Sequence, residues 1–162
     1  MIHMPSDFES PKQPPTISID QLRRTFSKKV VDHILNPRNA GEIRSADGLG
    51  RASISCGDSM QIGLRISQGR ILEARFMTNG CGPVIACGSI ATELVAGKTI
   101  NETMSLTEGD IITGLDGLPD SETHCATLAV SALKQALADY LALRREPWKK
   151  AYRQVEPFEP GR

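Results

Sequence analysis

The chain has 162 residues, of which 40% are hydrophobic and 23% charged, a composition typical of one soluble globular domain with its own core. Its 19 basic residues balance its 19 acidic residues, so no overall field favours nucleic acid or an anionic membrane as a partner. No apolar stretch approaches the roughly 18–20 residues that a membrane-spanning helix requires.

The first residues of the chain are polar and rich in proline. Residues 1–17 have neither the apolar region of a secretory signal nor the arginine-rich pattern of a transit peptide. We therefore interpret 1–17 as a disordered N-terminal tail, and we expect the protein to remain in the cytoplasm.

Helical periodicity begins after this tail. Ser18 and Gln21 have the spacing of a capping box, and apolar residues then recur at helical intervals as far as Leu35. The Asn-Pro pair that follows ends the pattern. The region therefore predicts one helix, followed by a glycine-containing loop over 38–50.

Strand-like alternation follows the loop. Apolar and polar side chains alternate over 51–56 and again over 60–66, and a turn at 67–70 leads into a third run over 71–78. Because alternation is typical of a sheet with one buried face, we predict a three-stranded antiparallel meander.

Helical spacing returns after the third strand. Pro83 suits the first turn of a helix, an apolar stripe continues to Val95, and Gly97 is typical of the residue that follows a helix end. Short helical pieces are predicted over 99–115, and a last long helix is predicted to begin within 121–123.

The order of these elements predicts the fold class and the domain boundaries. Strands followed by helices indicate an α+β domain, with the helices packed on one face of the three-stranded antiparallel sheet. We assign this domain to residues 18–145. Residues 146–162 are interpreted as a charged C-terminal extension.

The four cysteines are the residues best suited to chemistry. In a reducing cytosol, spaced thiols more often bind metal, react or fill the core than pair as disulfides. Cys81 precedes one predicted helix, and Cys125 lies at the start of the last helix beside His124. Because a helix N-terminus carries partial positive charge, we expect a lowered thiol pKa at both positions. Cys87 lies on an apolar stripe and is interpreted as a core residue, with an accessory thiol as the minority alternative.

Cys56 and Asp58 flank Gly57 at the junction of two strand-like runs. In an extended chain, positions i and i+2 face the same way, so the thiolate and the carboxylate could reach one metal ion. The same tripeptide is also ordinary turn chemistry, and taken alone it is weak support for a site.

Five residues form the candidate ligand set: Cys56, Asp58, Cys81, His124 and Cys125. Two irons that share two sulfides need four terminal ligands, which three thiolates and either Asp58 or His124 would supply. A single zinc ion could take four members of the same set. The spacing lacks the C-x₂-C pairs of structural zinc sites, which disfavours a zinc finger.

The ordered set of motifs resembles the IscU/NifU N-terminal type of iron–sulfur cluster assembly scaffold. The matching segments cover most of the chain in family order: 26–39, 56–58, 79–83, 92–98, 118–119 and 124–125. The resemblance implies a SufE/NifU-like fold in which the cysteines cluster at one end. It also implies cluster-ligand roles for Cys56, Cys81 and Cys125, with Asp58 and His124 beside them.

The resemblance implies a non-enzymatic scaffold that assembles a labile 2Fe–2S cluster and transfers it to apo acceptors. Persulfide sulfur would come from a cysteine desulfurase with Cys125 as a principal acceptor, and a ferredoxin-type protein would donate electrons. Asp58 would keep the cluster exchangeable, because a hard carboxylate suits iron–sulfur ligation less well than a thiolate. A homodimer that encloses the cluster is compatible with this function.

Three positions depart from the family pattern. Phe26 stands where many members have a tyrosine, and Cys87 stands where relatives commonly have serine or alanine. Residues 120–122 read Asp-Ser-Glu, where the family often has Pro-Val-Lys to dock an Hsp70-type chaperone. The resemblance therefore does not carry a chaperone contact over to this chain.

Two rival functions use the same residues. One is a sulfurtransferase in which a zinc-bound thiolate relays persulfide without assembling a cluster, and the other is a structural zinc domain that binds partners. His124 beside Cys125 favours the scaffold, because zinc-dependent relatives of this fold commonly lack that histidine. Zinc in the resting or purified protein is compatible with all three functions.

Overall fold

The computed structural model describes residues 18–152. The predicted tail over 1–17 and the end of the predicted extension therefore lie outside the described residues. The elements follow in chain order: α1 (Ile19–Thr25), α2 (Lys28–Leu35), β1 (Gly48–Ser53), β2 (Ser59–Ser67), β3 (Arg70–Thr78), α3 (Gly82–Val95), α4 (Ile100–Met104), α5 (Glu108–Gly114) and α6 (Thr123–Arg145). Short 3₁₀ helices precede and follow α6, at Asp120–Glu122 and Pro147–Tyr152.

The three strands form one antiparallel sheet in the order β1-β2-β3. Ile62 on the central strand pairs with Gly50 on one side and with Phe76 on the other. Its side chain is fully buried, as expected for a central strand under helices. The predicted α+β fold with a three-stranded antiparallel sheet is confirmed.

The helices approach the sheet closely because glycines lie at the points of contact. A Cβ atom at Gly50 of β1 would overlap with the carbonyl of Ala132 in α6, and one at Gly88 of α3 would overlap with the Phe76 ring of β3. These two contacts allow α6 and α3 to lie against the sheet at close packing distance. The cysteine-bearing starts of both helices are positioned by this packing.

The predicted first helix is divided in two. The capping box of Ser18 and Gln21 begins α1 as predicted, but the chain is extended at Phe26 and Ser27. The Ser27 hydroxyl accepts the Val30 N–H at 3.1 Å, so it caps a second helix in a new direction. The prediction of one continuous helix is wrong because the cap of α2 competes with helix continuation at this serine.

Other boundaries differ less from the prediction. β1 begins at Gly48, inside the predicted loop, and the predicted extension contains the 3₁₀ helix Pro147–Tyr152. Lys150 attaches this helix to the domain through an ion pair with Asp47, with 2.9 Å between Nζ and Oδ1. Gly97 has φ +77° directly after α3, as predicted for a helix end. Within residues 18–152, no helix is long and apolar enough to cross a membrane.

Candidate metal and sulfur site

Cys56 and Asp58 lie in a tight turn between β1 and β2. Gly57 has φ +96°, a conformation that favours glycine, and its N–H donates to the Ile54 carbonyl at 2.9 Å. The Ile54 N–H donates in turn to the Asp58 carbonyl at 2.9 Å. Of the two interpretations open from the sequence, the structure therefore has the turn and not the extended chain, because these hydrogen bonds curl the backbone. Cys56 is exposed in this turn.

Asn79 connects this turn to the segment that carries Cys81. Its Oδ1 accepts the Ser59 N–H at 2.8 Å, and its Nδ2 donates to the Gly57 carbonyl at 3.3 Å. Because Asn79 precedes Cys81 by two residues, its amide holds two cysteine-bearing loops at the same end of the sheet. Sequence reasoning missed this role, although an asparagine directly after a strand is a common loop-bonding residue.

Cys81 is exposed at the N-cap position of α3. Desolvation raises the pKa of its thiol, and the nearby carboxylates of Asp58 and Glu122 raise it further. A hydrogen bond from the Val84 N–H acts in the opposite direction and lowers the pKa of the Cys81 thiol. The expected lowering of this pKa is wrong, because desolvation and two negative charges outweigh the partial positive charge of the helix terminus.

Cys125 is fully buried in the first turn of α6. Its Sγ lies 3.6 Å from Oε2 of Glu122 and 3.6 Å from Nε2 of His124. Burial raises the pKa of the Cys125 thiol, and the neighbouring Cys87 thiol and Glu122 carboxylate raise it further. The expectation of a lowered pKa is wrong here too, since a buried thiolate beside an anion is strongly disfavoured.

Glu122 is a residue of this site that sequence reasoning missed. The ligand atoms of Glu122, His124 and Cys125 all lie within 4.8 Å of one another. In the sequence, Glu122 belongs to the segment 120–122, which differs from the family's chaperone-docking motif. Its position two residues before His124 was the available signal, because a carboxylate close to a histidine and a cysteine is a metal-ligand type.

Cys87 is fully buried within α3, as predicted for a core residue. Burial raises the pKa of its thiol to about 12, with smaller contributions from Glu122 and Cys81. Cys87 therefore lies near the candidate site but is held as a neutral thiol at physiological pH.

The structure brings most of the predicted ligands to one end of the domain. Cys81 is influenced electrostatically by Asp58, and Cys125 is influenced by Cys81. Across residues 18–152, the one group of three or more candidate ligand atoms within 4.8 Å is Glu122, His124 and Cys125. Cys56, Asp58 and Cys81 are not members of this group.

The sequence matches the model of a known protein family. A model of the NifU-like N terminal domain matches residues 25–146, which include every candidate ligand. The chain belongs to this family. The resemblance noted from the sequence is thus confirmed. The match to the NifU-like domain begins at residue 25, just before α2, and ends at residue 146, just after α6.

Curated relatives of this NifU-like domain are iron-sulfur cluster assembly scaffold proteins by name. This chain is 44% identical over 116 residues to the scaffold protein IscU 1 of Archaeoglobus fulgidus. The aligned region covers 71% of this chain and 76% of that protein. This chain is 41% identical over 124 residues to the scaffold protein IscU of Escherichia coli, which covers 74% of this chain and 96% of that protein.

The fold of the NifU-like domain also matches a solved structure. A protein assigned to the SUF system of iron-sulfur cluster assembly in Fervidobacterium islandicum superposes with a TM-score of 0.58 over 69% of this chain and 96% of that chain. The sequences are 22% identical, so the likeness concerns the fold. It agrees with the SufE/NifU-like architecture predicted from the sequence.

Proposed function

We propose that this protein is a scaffold on which an iron–sulfur cluster is assembled and from which it is transferred to apo acceptor proteins. The observation that carries the proposal is the placement of Cys125, His124, Cys81 and Asp58 at one end of a NifU-like domain. The family membership and the scaffold names of relatives at 41–44% identity support the same conclusion. The cluster is cargo in this function, and the protein is not an enzyme.

The proposed cargo is a 2Fe–2S cluster with four terminal ligands. Cys56, Cys81 and Cys125 supply thiolates, and Asp58 or His124 completes the set. The thiol pKa values of Cys81 and Cys125 are raised, so iron must displace protons when these ligands bind. Cluster loading should therefore release protons and become more favourable as the pH rises.

Sulfur delivery is proposed to begin at Cys125. Its thiolate attacks the outer sulfur of a persulfide on a cysteine desulfurase, so that a new S–S bond forms on Cys125 and the desulfurase cysteine leaves as a thiolate. The displaced thiol proton passes to solvent or to the adjacent Glu122 carboxylate. Conversion of each delivered sulfur to sulfide takes two electrons, which iron(II) and a ferredoxin-type donor together supply. Cys125 must become accessible for this step, because its side chain is fully buried.

Asp58 is proposed to keep the cluster exchangeable. It lies in the exposed Cys56 turn, and its carboxylate is a harder ligand than a thiolate. Replacement of Asp58 by alanine is expected to slow transfer of the cluster to an apo acceptor. Unchanged transfer kinetics in that variant would contradict this role.

A homodimer around the cluster and a cytoplasmic location remain predictions.

The scaffold function is tested by anaerobic reconstitution with iron, a cysteine desulfurase and cysteine, followed by iron and labile-sulfide analysis. We expect a visible chromophore that is lost when Cys56, Cys81 or Cys125 is changed to alanine. Cys87→Ala is the matched control, since it removes a thiol from the same region without removing a proposed ligand. Wild-type protein that takes up neither iron nor sulfide would refute the scaffold function.

The zinc-dependent persulfide relay is the alternative. It is favoured by one observation, the three-residue group around Cys125, because one cysteine, one histidine and one carboxylate suit a single zinc ion. Stoichiometric zinc that persists through reconstitution, together with sulfur transfer but no iron uptake, would support the relay in place of the scaffold.

A further inference from the structure

An open groove lies between the loop before β1 and the 3₁₀ helix that follows α6. It has a volume of about 640 Å³. Its lining comes from three parts of the chain: loop residues 42–46, Leu49 and Gln61 of the sheet, and Pro147, Lys150 and Ala151 of the 3₁₀ helix. Leu49 lies near the start of β1, whereas Cys56 follows the end of that strand. The groove is therefore separate from the candidate metal and sulfur site.

Apolar side chains converge in this groove on the face of the sheet that points away from the helices. Ile62 and Leu64 are fully buried on the helix side, so Gly63 between them faces the opposite side. Three side chains lie 3.5–3.7 Å from where a Cβ atom of Gly63 would be: Ile43, Ala46 and Leu49. Leu49 is still partly exposed, so this apolar cluster has surface left for an occupant.

The described part of the chain leads directly into the groove. Lys150 and Ala151 line it, and the described residues end one position later, at Tyr152. Ten further residues, 153–162, follow in the sequence. An extended chain advances at most about 3.3–3.6 Å per residue, so this segment is long enough to cross the groove. The family match ends at residue 146, so the segment is not part of the NifU-like domain.

The composition of the segment 153–162 is complementary to the groove. Its stretch 154–160 contains two glutamates, no basic residue and two apolar residues, Val155 and Phe158. The groove is lined by three charged residues, Glu42, Arg44 and Lys150, so its net charge is positive. Opposite charges therefore meet when this stretch enters the groove, and they orient it there. Two prolines within the stretch reduce the conformational entropy that is lost on docking.

We propose that residues 153–162 dock into this groove of their own chain, with the Phe158 side chain packed against the apolar cluster around Leu49. The attachment at Tyr152 favours docking within one chain, because a short tether gives an effective concentration on the order of millimolar. Docking covers apolar surface that the NifU-like domain leaves open. It leaves the Cys56 turn accessible, because that turn lies beyond the other end of β1.

Nuclear Overhauser contacts in the full chain test the docking directly. We expect contacts between the ring protons of Phe158 and the methyl groups of Ile43 and Leu49. A mixture of two differently isotope-labelled preparations separates contacts within one chain from contacts between two copies. Contacts within one chain support the proposal. Contacts only between copies would assign the groove to a second copy, and the absence of any contact would leave it to another partner; either result would overturn the proposal.

The rate of tryptic cleavage after Arg153 measures what Phe158 contributes. Cleavage of a segment that opens and closes rapidly follows the population of its open form, so Phe158→Ala should be cleaved at least about fivefold faster than the wild type. Phe8→Ala is the matched control, since it removes a phenylalanine from the segment 1–17, and its rate should stay within about twofold of the wild type. Equal rates in the two variants would refute the docking of Phe158. No candidate ligand lines the groove, so these results do not depend on the proposed scaffold function.

Discussion

Replacement of Asn79 by alanine should loosen the turn that presents Cys56 and destabilise the domain. The Asn79 amide accepts the N–H of the buried Ser59 at 2.8 Å and donates to the Gly57 carbonyl at 3.3 Å. Leaving the buried Ser59 N–H without an acceptor costs about 1–3 kcal/mol, and loss of the longer, exposed bond costs about 0.5–1 kcal/mol. We therefore expect Asn79→Ala to lower the free energy of unfolding by about 1.5–4 kcal/mol.

Urea unfolding measures the global effect, and amide hydrogen exchange at Ser59 measures the local one. Asn101→Ala is the matched control, because Asn101 is exposed in α4 and alanine is favourable within a helix. The control should change stability by less than about 0.5 kcal/mol. If Asn79→Ala behaves like the control and protection at Ser59 is unchanged, Asn79 does not hold the two loops together and the argument from its hydrogen bonds is refuted.

Three further predictions follow from burial and close packing. Iodoacetamide at pH 7.5 should modify the exposed Cys56 within minutes and leave Cys87 unmodified until urea is added, as peptide mass analysis would show, because burial raises the pKa of Cys87 to about 12. Gly50→Ala should lower the melting temperature, with a loss of about 2–3 kcal/mol, because its Cβ would overlap with the backbone of Ala132. Burial lowers the pKa of His33, so the folded state favours the neutral ring. The stability of the domain should therefore fall as the pH drops below about 6.5, the pKa of a histidine in the unfolded chain. His33→Gln should flatten the dependence of the urea midpoint on pH between about 7.5 and 5.5.

The regular elements were predictable because their periodicities are strong. The strand alternation, the capping box at Ser18 and the glycine after α3 each have a local physical cause that the sequence displays. The break at Ser27 was not predictable from periodicity, because a serine is tolerated within a helix and its cap is completed by tertiary contact. Its hydroxyl also donates to the carbonyl of Leu115, a residue far away in the chain.

The candidate site was predictable in its residue types but not in its electrostatics. Position at a helix start suggested lowered thiol pKa values, whereas desolvation and the carboxylate of Glu122 raise them at Cys81 and Cys125. Desolvation depends on the whole fold, and a local sequence pattern does not contain it. Glu122 was missed for a related reason, since its importance lies in a contact across one helical turn.

The way in which α6 is anchored determines how Cys125 can meet a partner. Further along the same helix, the backbone of Ala132 packs directly against Gly50 of β1. A shift or rotation of the whole of α6 would therefore bring its backbone into collision with the sheet. The opening turn is different, because its N-cap residue leaves the first amides of the helix without a side-chain acceptor. Exposure of the thiol is therefore expected to occur by fraying of this one turn, and a partner that supplies acceptors for the freed amides would hold it open.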